Sequence, residues 1–218
     1  MAIVNEKIPE FSGFAVQYDP ANKPFFAAQL VEDLRRIASK DIGKTLLKAI
    51  ADATPRTRTP TRLTSQELAA VTFFEGVNVV AVPISRVFTQ SGFKAAVVNN
   101  LQTLVASDAK HHNVKGCPFH AVGGSQALSY DAIAAGDGTG SVSVMKYTNA
   151  QVTTSKGETT YSFMVLAHEL IHSLHHVTGT RKDSDEEQWT TGIGVYADNP
   201  MSENAFRRAF GVRLREMY

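Results

Sequence analysis

Residues 164–179 read MVLAHELIHSLHHVTG, and the placing of His168, Glu169 and His172 within them decides how the rest of the chain is understood. Phe163, Leu166, Ala167, Leu170, Ile171, Leu174 and Val177 recur at helical spacing and form an apolar face, while His168, His172 and His175 fall on another side of the same helix. Side chains four residues apart stand one above the other, so the imidazoles of His168 and His172 converge where a single metal ion can sit. Glu169 is carried close enough to touch a water on that metal. His-Glu-x-x-His on a helix is the pattern of a zinc site for peptide hydrolysis, with the glutamate as general base, and the amphipathic context here agrees with it. Gly179 then closes the helix.

A catalytic zinc takes a third protein ligand and keeps one position open. The extension of the motif that adds a glycine and a third histidine is absent, since His175 stands at the glycine position and Thr178 at the histidine position. His175 lies a turn beyond His172 and is expected to hydrogen-bond near the ligands or at the helix end rather than to bind the metal. The better candidates lie in SDEEQWTTG, where Asp185, Glu186 and Glu187 open what reads as the next helix. Folding back across TGTRKD brings one of these carboxylates to the metal, because about seven extended residues reach roughly 20 Å. Ser184 and Glu187 also have the spacing of a capping box, so closing a helix start is the competing role for Glu187.

The 218 residues suffice for one domain with an adequate core, and a single domain over residues 1–218 is expected. A net charge of +1 with 20% charged residues argues against a broad nucleic-acid surface, and no stretch is apolar enough to span a bilayer. Cys117, the single cysteine, makes no internal disulfide, so the fold does not depend on an oxidising compartment. The start, MAIVNEKIPEFSGF, carries Glu6 and Glu10 and no apolar run, which predicts export without a cleavable signal peptide if the chain is exported.

Before the central helix, FAAQLVEDLRRIASKDIGKTLLKAIADA repeats apolar residues at helical spacing and predicts two helices or one bent helix. ATPRTRTPTRLTS reads as an exposed loop, GVNVVAVPIS as a buried strand and FKAAVVNNLQTLVAS as a helix. GSVSVMKY alternates as a half-exposed strand does and is expected to offer an open edge to an extended peptide. Cys117 and His120 have a metal-like spacing but no partner pair and read as structural, and His111 and His112 read as exposed.

LAHELIHSLHHVTG followed by EEQWTTG resembles the zinc-binding region of clostridial neurotoxin light chains and, more closely, that of the NleD-like type III secreted effector metallopeptidases. The second likeness continues through MSENAFRRAFGVRLREMY, in the order Ser202, Glu203, Asn204, Arg207, Gly211, Leu214, Arg215 and Tyr218, and RRIASKDIGKTLLKAI carries a fainter echo of a neurotoxin helix. The resemblance implies an α+β, zincin-like metallopeptidase domain whose active-site helix packs below a small mixed sheet. It implies one zinc ion held by His168, His172 and Glu187, with Glu186 hydrogen-bonding around the ligands. Arg215 and Tyr218 have the form of the Arg-x-x-Tyr element that stabilises the transition state in the neurotoxins, the competing reading being a surface helix end. The link from the histidine helix to the glutamate pair is shorter here than in either family. The expected activity is that of a secreted effector, acting as a monomer in the host-cell cytosol on host proteins, with neither nucleic acid nor membrane as partner. The alternatives are a housekeeping zinc peptidase of the producing cell, and a binding module in which His175 completes a structural zinc site.

Overall fold

The computed structural model describes residues 4–55, 76–83, 125–129, 133–149, 152–153 and 159–216. The sequence expectations for the arginine- and threonine-rich loop from residue 56 onward, the helix at 93–107, His111, His112, Cys117, His120 and Tyr218 lie outside the described residues.

The N-terminal half of the core begins with strands β1 (Val4–Lys7) and β2 (Phe14–Tyr18), then helices α1 (Phe26–Ala38) and α2 (Asp41–Asp52). Phe26, Leu30, Leu34 and Ile37 of α1, and Leu46, Leu47 and Ile50 of α2, are the positions that helical spacing puts on one side, and all are buried. The chain forms two helices rather than one bent helix because Lys40 is extended between them. Gly43 makes the corner tight: a Cβ there would lie 1.9 Å from the carbonyl oxygen of Ile37. The buried side-chain amide of Asn78 donates to the carbonyls of Ile50 (2.6 Å) and Ala53 (2.8 Å), satisfying the end of α2.

Strands β3 (Val79–Pro83), β4 (Gln126–Ser129) and β5 (Ser143–Tyr147) complete a five-stranded sheet in the order β1-β2-β3-β5-β4. The three inner strands are parallel and each outer strand is antiparallel to its neighbour, so the sheet is mixed. Strands β6 (Val152–Thr153) and β7 (Thr159–Thr160) pair separately, and helices α3 (Ser162–Thr178), α4 (Glu186–Thr191) and α5 (Glu203–Ala209) follow. Among the described residues no helix is long and apolar enough to cross a membrane.

One sheet face, with Phe14, Val16, Val79, Ala81, Met145 and Tyr147, packs with α1, α2 and α3 into a single core that also takes Phe206 of α5. The opposite face is buried as well, at Ala15, Val80, Val144 and Lys146. This corrects the reading of GSVSVMKY as a half-exposed edge: β5 is paired on both sides, parallel to β3 and antiparallel to β4, and buried on both faces as an inner strand is. Among the described residues the open edge next to α3 belongs to β4.

Candidate metal centre

Helix α3 is buried around most of its circumference, histidines included, because α1, α2 and α5 pack on it together with β4 and β5. Its C-terminus is closed by Gly179 in the left-handed conformation (φ 72°), with Thr180 N–H donating to the His175 carbonyl at 2.9 Å. The loop at 133–141 wraps this end, and Ser141 N–H donates to the His176 carbonyl at 2.8 Å. A buried hydroxyl pair, Ser143 to Ser173 at 2.9 Å, pins the helix to β5. The histidines are therefore held on a helix with little freedom to shift.

Nε2 of His168 and Nε2 of His172 lie 3.1 Å apart, and Oε2 of Glu187 lies 3.3 Å from each. The far side of each ring is committed to a carboxylate: His168 Nδ1 to Glu203 Oε2 and His172 Nδ1 to Glu186 Oε1, both at 2.9 Å. A carboxylate accepts and does not donate, so each Nδ1 carries the hydrogen and each Nε2 turns a lone pair toward the other and toward Glu187. Three such atoms meeting this closely repel one another unless positive charge, a proton on an Nε2 or a metal ion, lies among them. Zinc fits: at bond lengths of about 2.0–2.1 Å the edge of its coordination tetrahedron is about 3.3–3.4 Å, close to the separations found. Three protein donors is also the number that a catalytic rather than a structural zinc takes.

Charge is distributed to the same end. Burial opposes ionisation of Glu186, Glu187 and Glu203, yet the imidazoles hold the first two well below the usual carboxylate range, and His168 with Arg215 and Arg207 brings Glu203 to about 2. Reciprocally, burial disfavours a charged His168, but Glu187 and Glu203 raise it to about 9. Three ionised carboxylates around two imidazoles make a pocket that demands positive charge.

Glu186 does not join the triangle. Its Oε1 accepts from Nδ1 of both His172 (2.9 Å) and His175 (2.6 Å), and its Oε2 accepts from the backbone N–H of Lys182 (2.9 Å). His172, His175 and Glu186 also lie close enough together to suggest a metal, but these contacts are hydrogen bonds to one oxygen. His175 accordingly faces Glu186 and stacks on Trp189. Nor does Ser184 cap α4: Asp185 occupies the cap position, in the left-handed conformation (φ 61°) with no side-chain cap, and this tight turn sends Glu186 and Glu187 toward the two histidines. The capping-box role considered for Glu187 is thereby corrected.

Glu169 accepts the backbone N–H of Ala127 in β4 at 2.6 Å and lies within electrostatic reach of His168, His172 and Glu187. Burial raises its carboxyl above the ordinary range, against the lowering effect of the two histidines and the Ala127 hydrogen bond.

The partner of His168 was not assigned a role from the sequence. Glu203 is almost fully buried and receives Arg207 Nε at 2.6 Å on one oxygen and Arg215 Nη1 at 2.8 Å on the other, the oxygen that faces His168. Arg215 is delivered by two further clamps on the chain after α5. Asn204 exchanges hydrogen bonds with the backbone of Arg215 in both directions (2.8 and 2.9 Å), and Arg207 Nη1 donates to the Arg213 carbonyl at 2.8 Å. Ser202 caps α5 through Ala205 N–H. The run Ser202, Glu203, Asn204 and Arg207 is thus one device that brings the C-terminal segment to the back of the His168 ring. Its local trace in the sequence is the Glu203–Arg207 pair four residues apart.

The model of the peptidase M91 family, described as effector protein, matches residues 15–199. No curated protein matches the chain. Among solved structures, the catalytic domain of Clostridium botulinum neurotoxin serotype F is similar at 16% identity and a TM-score of 0.49, covering 96% of this chain and 64% of its own. The botulinum neurotoxin type D light chain is similar at 15% identity and a TM-score of 0.47, with 96% and 64% covered. A second serotype F light chain gives 17% identity and 0.46, with 83% and 53% covered, so the chain spans between about half and two thirds of the length of these neighbours.

Proposed function

The chain belongs to the peptidase M91 family of effector proteins, and from that membership and the convergence of three donor atoms we propose that it is a zinc metalloendopeptidase that hydrolyses peptide bonds in host-cell proteins. The observation that carries the reading is the triangle of His168 Nε2, His172 Nε2 and Glu187 Oε2 at 3.1–3.3 Å, with both Nδ1 atoms turned to carboxylates. These three residues would hold one zinc ion. Zinc bound there supplies a Lewis acid that polarises the scissile carbonyl and makes water a better nucleophile at neutral pH.

The remaining chemistry falls to the chain's own groups. Glu169 takes a proton from the attacking water and passes it to the leaving amine. Burial raises its affinity for a proton, which suits a group that must take and return one, and the Ala127 N–H fixes its direction. Arg215 carries positive charge beside the ligands with 27% of its side chain still exposed, which leaves it able to meet negative charge developing on the carbonyl oxygen. Tyr218 follows it by three residues and is assigned to the same task through the Arg-x-x-Tyr resemblance. An extended substrate segment would pair along the open edge of β4, whose Ala127 N–H already points at Glu169.

The test is terminal proteomics of host-cell lysate treated with the native protein or with Glu169→Gln. New peptide termini are expected with the native protein alone, while the variant still binds zinc. Equal cleavage by the two would remove Glu169 from the mechanism, and a native protein that takes up no zinc would end the metallopeptidase reading.

A further inference from the structure

Trp189, the only tryptophan of the chain, lies in no catalytic motif, yet both of its faces are taken. On one side the His175 ring lies parallel to it, with centroids 3.7 Å apart and planes within 2°. On the other, Lys182 Nζ stands 4.4 Å from the Trp189 centroid and is itself held by the Tyr196 hydroxyl at 3.0 Å. The order Lys182, Trp189, His175 is a stack of cation, indole and imidazole, with attraction at each contact.

The stack ends on Glu186. The torsion that turns an imidazole about its Cβ–Cγ bond is broad, so an unsupported His175 ring would swing its Nδ1 through many directions. Flat against Trp189 its plane is fixed, and in that plane Nδ1 reaches Glu186 Oε1 at 2.6 Å. The same oxygen orients His172 Nδ1 at 2.9 Å, and the backbone N–H of Lys182 holds the other oxygen at 2.9 Å. Lys182 therefore serves the carboxylate twice, through its backbone directly and through its side chain by way of Trp189.

We propose that Trp189 is a positioning residue for the metal centre: clamped by Lys182, it fixes the His175 ring, which fixes Glu186 and through it the ring of His172. The inference rests on the zinc reading above and adds a support lying beyond the residues that touch the ligands. Loss of a group that orients a metal ligand typically weakens the metal about 10- to 100-fold.

The experiment is zinc affinity of the full chain, measured by competition with a chromophoric chelator, for the native protein, Trp189→Ala and Trp189→Phe, each with and without Glu186→Gln. About tenfold weaker zinc is expected for Trp189→Ala, with most of the loss recovered in Trp189→Phe, whose ring restores a flat face. In the Glu186→Gln background Trp189→Ala should add little, because its path to His172 is already cut. Undiminished affinity in Trp189→Ala, or a full additional loss in the Glu186→Gln background, overturns the proposal, since the second result is that of a purely structural side chain. Should Trp189→Ala not fold, His175→Phe decides: it keeps the stack and deletes Nδ1, so weakened zinc supports the chain of contacts and unchanged zinc refutes it. A native protein without zinc affinity overturns the metallopeptidase reading and this inference together, whereas native zinc binding with an indifferent Trp189 overturns this inference alone.

Discussion

Replacing Glu203 by Gln keeps the shape of a buried side chain and removes its charge, which makes it the sharpest probe of how the centre is held. One carboxylate oxygen becomes an amide nitrogen that cannot accept. Either Arg207 Nε or the pair His168 Nδ1 and Arg215 Nη1 then loses its partner. The size of the effect follows from the carboxyl itself, which these cations bring from 4.5 to about 2 although burial opposes the charge. At about 1.4 kcal/mol for each tenfold in proton affinity, the interactions are worth on the order of 3 kcal/mol, and with 2% of the side chain exposed solvent screens little of it. A carboxyl lowered on folding stabilises the fold above its unfolded value of 4.5 and loses that contribution as the pH falls through about 2. Urea denaturation in the presence of EDTA should therefore show the variant less stable by on the order of 3 kcal/mol at pH 7, with the gap closing between pH 4.5 and about 2. Chelator competition should show zinc bound about 10- to 100-fold more weakly, because His168 has lost its orienting partner. A variant with native zinc affinity would refute the argument that Glu203 sets the direction of His168.

Three further outcomes are expected. Gly179→Ala should cost about 2 kcal/mol or more in thermal denaturation, since residue 179 has φ 72° and a Cβ there would lie 2.6 Å from the backbone carbon of Gly138; a native Tm would contradict the packing at the end of α3. Lys146→Met should stabilise the chain by on the order of 3 kcal/mol at pH 7, because burial lowers Lys146 from 10.5 to about 8. A lysine lowered on folding weighs against the fold fully below the lower value and is relieved as pH rises toward the upper one, so the gain measured by urea denaturation should shrink between pH 8 and 10.5. EDTA should lower the Tm and added zinc restore it, by about 4 kcal/mol when free zinc is about 1,000 times its dissociation constant; a Tm indifferent to both would show that the donor triangle holds no metal.

Helical spacing is a local property, and what depended on it was legible: the burial of α1 and α2 at Leu30, Leu34, Leu46 and Ile50, and the facing of His168 and His172 one turn apart. Glu187 was legible as a candidate because it follows the helix after a short turn. Its choice over Glu186 and Asp185 depends on the left-handed backbone at Asp185, which an aspartate allows but does not announce. The strand at 143–147 was found, but its place in the sheet was misjudged, because alternation of residue types cannot reveal that a second strand will cover the other edge.

The sequence by itself determined a helix that turns two imidazoles toward one point with a glutamate beside them, since four residues of helix bring side chains into register whatever surrounds them. Only the tertiary structure decided what stands behind those groups. Glu203 reaches His168 from 35 positions along the chain, and Ala127 reaches Glu169 across 42. Contacts over such separations are set by the packing of α3 and α5 and by the pairing of β4, and no periodicity within either segment encodes the other.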